Sequence, residues 1–403
     1  MNSCYLLKSL GVGLLFLGVI GLSSCRGSSS VKLTAESESK SAVNNHKPVL
    51  RVFLENSGSM DGYMCEGSQL KDVIFDYVGS LKALSSRTAL YYINSDTIPF
   101  KGSFESFIET MSPEHFKKAS GNRGSSDIRK MLERVVSCAN DSTVCLFVSD
   151  CILDLPVGDT QKFLNNCRIS IKNTMTNGRK RLPNLGVEVL KMSSDFTGKY
   201  FYPNNSYEEL ENVKRPYYIW VIGDCRLLAQ YNKGVSLDEL KKYGFEQIVS
   251  FTPQVKADFD VTNRSTTTNV VNPENGNYRG ILRADFSGTL QPESEVLNPA
   301  NYTFSNPAIR VEGIRPVKVA GGSKYTHMVE FAVPVTANVL QCKLMFKAPA
   351  IPRWVEESHD EAGIDIQKNM NKTSGIKHQI EGVADAYRKE AASTEFIINL
   401  NRN

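Results

Sequence analysis

The sequence predicts an α/β domain with a mainly parallel sheet over residues 48–245, followed by a β-rich, sandwich-like domain over 246–403. Three observations carry this. Apolar runs of strand length alternate with helix-period segments from about residue 48 to about 245, the pattern of a sheet with helices on its faces. One run, residues 144–148, is continuously apolar, as in a strand covered on both sides. Beyond 245 the texture changes to short strand-like stretches separated by Pro, Gly, Asn and Thr, with one late helix.

Residues 1–25 read as a targeting segment and are set apart from the fold. Lys8 precedes an apolar run over 10–22, too short to span a bilayer comfortably. The run ends Leu22-Ser23-Ser24-Cys25, which resembles a bacterial lipoprotein signal, where the cysteine is lipidated and becomes the mature N-terminus. That resemblance implies acyl chains on Cys25 and a place in the cell envelope, facing periplasm or cell surface, anchored but not spanning. Residues 26–47 are rich in Ser, Glu, Lys and Asn and read as a flexible tether.

The first strand covers 50–54. A helix follows with Leu70, Val73, Ile74, Tyr77, Val78 and Leu81 on one face. Residues 89–93 read as a strand and 104–111 as a helix. A second amphipathic helix carries Ile128, Met131, Leu132, Val135 and Val136. The strand at 144–148 ends in Ser149-Asp150, and 159–172 is helical in pattern. Residues 186–190 and 217–222 are two further apolar runs, the second ending Gly223-Asp224. In the β-rich half the strands fall at 257–261, 281–286, 328–333, 338–346 and 396–400, with a helix through Ile376, Ile380, Val383, Ala384 and Tyr387.

A net charge of +4 over 403 residues implies no concentrated basic face, which excludes nucleic-acid binding as the main task. The one basic cluster, Arg179-Lys180-Arg181, reads as a solvated turn. Nine cysteines occur; apart from Cys4 and Cys25, seven remain, with no CxxC spacing or histidine partner to suggest zinc or a redox pair.

The chemistry gathers at three polar loops. The first strand runs into Glu55-x-Ser57-x-Ser59, which places one carboxylate and two hydroxyls at its carboxyl end. In an open α/β sheet ligands bind at that edge, and hard divalent cations want oxygen donors. The stretch resembles the opening Asp-x-Ser-x-Ser of the metal-ion-dependent adhesion site of von Willebrand factor A domains. Gly124-Ser125-Ser126-Asp127-Ile128 resembles that family's Gly-Gly-Thr-Asn-Ile, and Val148-Ser149-Asp150 its Leu-Thr-Asp-Gly. The resemblance covers residues 48–245 and implies a Rossmann-like fold. It also implies an Mg²⁺ or Mn²⁺ site built from Glu55, Ser57, Ser59, Ser126 and Asp150. Hydroxyls would meet the ion directly and carboxylates largely through water, leaving one position open for an acidic group of a protein partner. Two departures stand out. Ser126 in place of Thr keeps the hydroxyl. Glu55 in place of Asp adds a methylene, which can ligate the ion directly, shift it, or leave the site unorganised.

The expectation is therefore a lipid-anchored binding protein and not an enzyme. One alternative is a scaffold whose site is degenerate, with Ser57 and Ser59 only capping the next helix. Another is a hydrolase using Asp150 and Asp224 at one sheet edge. None of His46, His115, His327, His359 and His378 lies in the three loops, so a serine nucleophile there lacks a base. Neither a G-x-S-x-G elbow nor a P-loop occurs.

Overall fold

The computed structural model describes residues 31–36, 46–118, 121–124, 127–156, 158–202, 206–253, 258–261, 277–286, 290–317, 325–334, 341–347, 351–387 and 393–402. After β1 (Val31–Glu36) comes a seven-stranded sheet. Its strands are β2 (Val49–Glu55), β3 (Arg87–Ile93), β4 (Thr97–Pro99), β5 (Thr143–Ser149), β6 (Leu185–Phe201), β7 (Tyr207–Asp224) and β8 (Phe245–Phe251), in spatial order β4-β3-β2-β5-β7-β6-β8.

The sheet is mixed. β3, β2 and β5 run parallel, and β4, β7, β6 and β8 each join antiparallel to their neighbour. The parallel trio is the part that bears the predicted site. The antiparallel half follows from the short link between β6 and β7, which cannot make the long crossover that a parallel pair needs. β6 and β7 pair from Leu185↔Asp224 out to Phe201↔Tyr207, whereas β5 pairs with β7 only as far as Ser149↔Tyr218. The far half of this hairpin therefore projects as an arm beyond the carboxyl ends of β2 and β5.

Alternation along β2 sends Leu50, Val52 and Leu54 to one face and Phe53 to the other, each into its own hydrophobic cluster. The first cluster is covered by α1 (Gln69–Val73) and α2 (Gly79–Leu84), joined through a π turn at Ile74–Val78. Leu70, Val73, Ile74, Tyr77, Val78 and Leu81 all point into it, as their spacing predicts. It also takes Phe104 and Phe107 from α3 (Phe104–Glu109), Phe116 from α4 (Pro113–Phe116), and Leu227, Leu228 and Tyr231 from α7 (Cys225–Gly234). The second cluster lies under α5 (Ile128–Cys138) and α6 (Thr160–Arg181).

The sheet does not stop at 245. β8 forms its edge, and the chain returns to the second cluster much later. Trp354 and Val355 of α9 (Arg353–Glu357) and Ile376, Ile380 and Val383 of α10 (Ile376–Tyr387) belong to that cluster. Arg168 of α6 fastens α10 through Glu381 (2.7 Å) and Asp385 (2.8 Å). A division of the chain at 245 therefore cuts through one core, because the apolar face of α10 is buried on helices of the first half. Two-residue strands β15 (His359–Asp360) and β16 (Thr373–Ser374) pair between α9 and α10.

The remaining strands make two four-stranded sheets. One has the order β12-β13-β10-β9, from β9 (Asp258–Val261), β10 (Asn277–Asp285), β12 (Arg310–Pro316) and β13 (His327–Pro334). The other has the order β1-β17-β14-β11, from β11 (Tyr302–Phe304), β14 (Gln341–Lys347), β17 (Ser393–Arg402) and β1. Both feed a third cluster that includes Leu282, Phe331, Leu344 and Phe346. Residues 31–36, read as tether from composition, pair along β17 from Val31↔Arg402 to Glu36↔Ile397. Their alternating Val31, Leu33 and Ala35 is the strand signal that the surrounding polar residues masked.

Arg179-Lys180-Arg181 is not a solvated turn but the last turn of α6. Arg181 donates to the Val136 and Ala139 carbonyls at the end of α5, and Arg179 to the Ala386 carbonyl at the end of α10. Cations suit the carbonyl ends of helices. The seven described cysteines are free, and five are buried. Among the described residues no helix is long and apolar enough to cross a membrane.

Candidate functional site

β2 and β5 end side by side. Leu54 pairs with Val148, so Glu55 stands next to Ser149. Glu55 leaves the sheet on the face of Phe53, is fully buried, and accepts a hydrogen bond from the Ser149 hydroxyl. That hydroxyl in turn accepts from the Cys151 amide at 2.8 Å.

Asp150 leaves toward the other face and is 1% exposed. Its Oδ1 accepts from the Ile152 amide at 3.1 Å; its buried Oδ2 has no hydrogen-bond partner of good geometry among the described residues. Burial pushes the carboxyl pKa up, and the Ser59 hydroxyl, the Ile152 amide and the Arg215 guanidinium oppose it. The chain then turns through Cys151 in the left-handed conformation, φ 55°. The family pattern has Gly at this place, and a side chain there is strained. The turn is held by the Trp220 indole on the Cys151 sulfur (3.2 Å) and by Gln379 Nε2 on the Cys151 carbonyl (2.7 Å).

Ser57 and Ser59 share a hydrogen bond of 3.0 Å. Ser57 opens the 3-10 turn Gly58–Met64 but makes no side-chain capping bond, so capping is not what its hydroxyl does here. The second loop is fastened to the first. The Gly58 amide donates to the Arg123 carbonyl at 3.0 Å; Arg123 donates to the Asn56 and Ser57 carbonyls and pairs with Asp61. Asp127 then caps α5, accepting from the Arg129 amide at 3.1 Å. Ser126, like Cys25, lies outside the described residues.

The structure thus gathers Ser57, Ser59 and Asp150 on one side of the strand ends, with Glu55 buried beside Ser149 on the other. Asp224 does not join them. β7 runs antiparallel to β5, so its end lies level with residue 143, at the opposite edge of the sheet. Seven residues of strand at about 3.3 Å each put it roughly 23 Å from Asp150. A pair of glycosidase carboxylates stands about 5–10 Å apart.

Sequence reasoning missed two contributors. Arg215, 1% exposed on the β7 side of the arm, donates from Nη1 to the carbonyls of Asn369 (3.3 Å), Met370 (2.7 Å) and Lys372 (3.2 Å), and its guanidinium lies 5.1 Å from the Tyr200 ring. The arm also supplies Tyr200 and Phe201 to a cleft of about 150 Å³ whose lining includes Ser57, Ser59, Arg123 and Leu155. A lone arginine in a strand gives no signal, and a strand that outruns its neighbours cannot be told from one that does not.

No family model, curated protein or solved structure matches the chain. Function has to be read from the site. Two hydroxyls and a carboxylate are hard oxygen donors that suit Mg²⁺ or Mn²⁺. Among the described residues no group of three His, Cys, Asp or Glu side chains is placed to hold an ion.

Proposed function

We propose that this chain is a lipid-anchored envelope protein whose α/β domain, of the von Willebrand factor A type, binds a protein partner through an ion-dependent site. The observation that carries the proposal is the meeting of Ser57, Ser59 and Asp150 beside an open cleft at the carboxyl edge of the parallel strands. An Mg²⁺ or Mn²⁺ ion bound there supplies a position for an acidic group of the partner. The serines hold the ion without neutralising it, so it keeps its appetite for an outside carboxylate. Tyr200 and Phe201 give the incoming segment an apolar wall. The two four-stranded sheets are read as a sandwich-like module. The two acids proposed for hydrolysis stand too far apart to act together, so no catalytic role is assigned.

A second reading has its own support. The Glu55 carboxylate is engaged by Ser149, and the Arg215 cation is close enough to favour the charge on Asp150. In that reading the site is an ion-free scaffold with an internal cation. Thermal melts of the purified protein in Mg²⁺, Mn²⁺ or chelator decide between them. A rise with either ion, lost in Ser57→Ala, supports the ion-dependent site; no shift at millimolar ion sinks it. The anchor is tested separately by mass spectrometry of the mature N-terminus, where an unmodified chain still starting at Met1 in membranes rules it out.

A further inference from the structure

The two free edges of the central sheet are unlike. β4 is three residues long and ends in Pro99, which has no N–H to offer. β8 is seven residues long and, among the described residues, pairs on one side only, with β6. Along it lies a groove of about 600 Å³, lined by six consecutive residues of the strand, 245–250. An edge strand turns alternate N–H and C=O groups toward whatever lies beside it. An outside donor does reach this backbone, since Gln291 Nε2 meets the Ser250 carbonyl at 3.4 Å. The rest of the lining comes from the segment around α8 (Glu293–Val296) and from Pro352 and Trp354.

Two further observations point to an occupant. The Ser250 hydroxyl and the Trp354 indole N–H belong to lining residues only 7% and 8% exposed, and neither atom has a hydrogen-bond partner among the described residues. Buried polar atoms are ordinarily satisfied. The charged lining is Asp238, Glu246, Glu293 and Glu295 against Lys233 and Lys241, two acids in excess. Glu293 is exposed and makes no ion pair among the described residues. A second copy of this chain docking edge to edge would bring two acidic linings together, which disfavours it.

We propose that β8 is a docking edge for an extended basic segment of a partner protein, which adds to the sheet as an eighth strand. Main-chain bonds supply affinity and the acidic lining selects lysine or arginine. This site is separate from the Ser57–Asp150 cleft and does not depend on an ion there.

The test uses the full-length protein and a fluorescent six-residue peptide of alternating valine and lysine. Two controls accompany it: the same peptide with alternate amides N-methylated, and its valine–glutamate counterpart. Binding should protect the outward amides of Glu246, Ile248 and Ser250 from hydrogen exchange. N-methylation should weaken it about 25-fold, at roughly fivefold for each of two lost backbone hydrogen bonds. The glutamate peptide and the exposed-site variant Glu293→Lys should also bind more weakly. The proposal is overturned if the N-methylated peptide binds as well as the parent, if protection falls elsewhere, or if no valine–lysine binding appears at millimolar peptide.

Discussion

Replacing Asp150 by Asn tests the proposed site from both sides. The carboxylate is 1% exposed, and its Oδ2 has no hydrogen-bond partner of good geometry among the described residues. A buried unsatisfied acceptor costs about 1–3 kcal/mol, and more when charged. Asn is isosteric, keeps the acceptor for the Ile152 amide, removes the charge and places an N–H donor where Oδ2 stood, with the Ser59 hydroxyl to accept from it. The ion-free variant should therefore be more stable than the natural protein by about 1–3 kcal/mol. Unfolding entropy of about 2.1 cal/mol/K per residue makes a chain of this length lose about 0.8 kcal/mol per degree, so the melting temperature should rise by roughly 1–4 °C. With ion the gap closes or reverses. Saturation at a hundred times the dissociation constant adds about 2.7 kcal/mol to the natural protein, roughly 3 °C, and nothing to Asp150→Asn. Scanning calorimetry in chelator and in Mg²⁺ measures all four states. If the variant is less stable in chelator, Asp150 is already compensated from within, by Arg215. If Mg²⁺ stabilises both forms equally, the ion binds elsewhere.

Three other outcomes follow from the fold. Glu188, 2% exposed on β6, has its carboxyl pKa pushed up to about 7 by burial, against the hydrogen bond from Asn232. A raised carboxyl contributes stability that is present below its unfolded pKa and lost as the pH rises through the folded one. About 3 kcal/mol should vanish between pH 4.5 and 8, and Glu188→Gln, unfolded by denaturant at both pH values, should lack that loss. Glu55→Asp withdraws the carboxylate from Ser149 by one methylene and should enlarge the Mg²⁺-induced melt shift; an unchanged shift places Glu55 outside the ion's reach. A fragment of residues 48–245 lacks β8, α9 and α10 and should show no cooperative melt by circular dichroism, whereas an independent domain would keep one.

The α/β half was legible where a segment satisfies its own pattern. The helical faces at Leu70–Leu81 and Ile128–Val136 and the buried strand ahead of Ser149-Asp150 are local matters of period and side-chain chemistry. What escaped is set by distant partners. The direction of β7 depends on its hairpin with β6, and that direction alone carried Asp224 to the wrong edge. The apolar stripe of α10 showed in the sequence, but not that it would lie on α6. Within the proposed site, Ser57, Ser59 and Asp150 could be picked out only because three polar loops follow one another in the order of a known motif; taken singly, Ser or Asp after a strand is an ordinary turn residue. Arg215 could not, because a buried cation is recognised only by the carbonyls folded around it.

That arginine shapes what the proposed site can do. Near the strand ends the buried Asp150 carboxylate has the Arg215 guanidinium close enough to favour its charge, while Glu55 lies on the opposite face against Ser149. A divalent cation added beside that pair would bring positive charge into surroundings where an uncompensated charge is costly. The ion alone is then held modestly, and a single carboxylate brought by a partner closes the balance. Ion and partner must therefore strengthen each other by the same factor, because coupling between two binding events is reciprocal. A site with more resident carboxylates would hold its ion tightly and have no use for a partner. One with none would hold neither. The combination of neutral serines, a buried acid and an internal cation would set the proposed site between those limits, where occupancy by the ion would report on the partner.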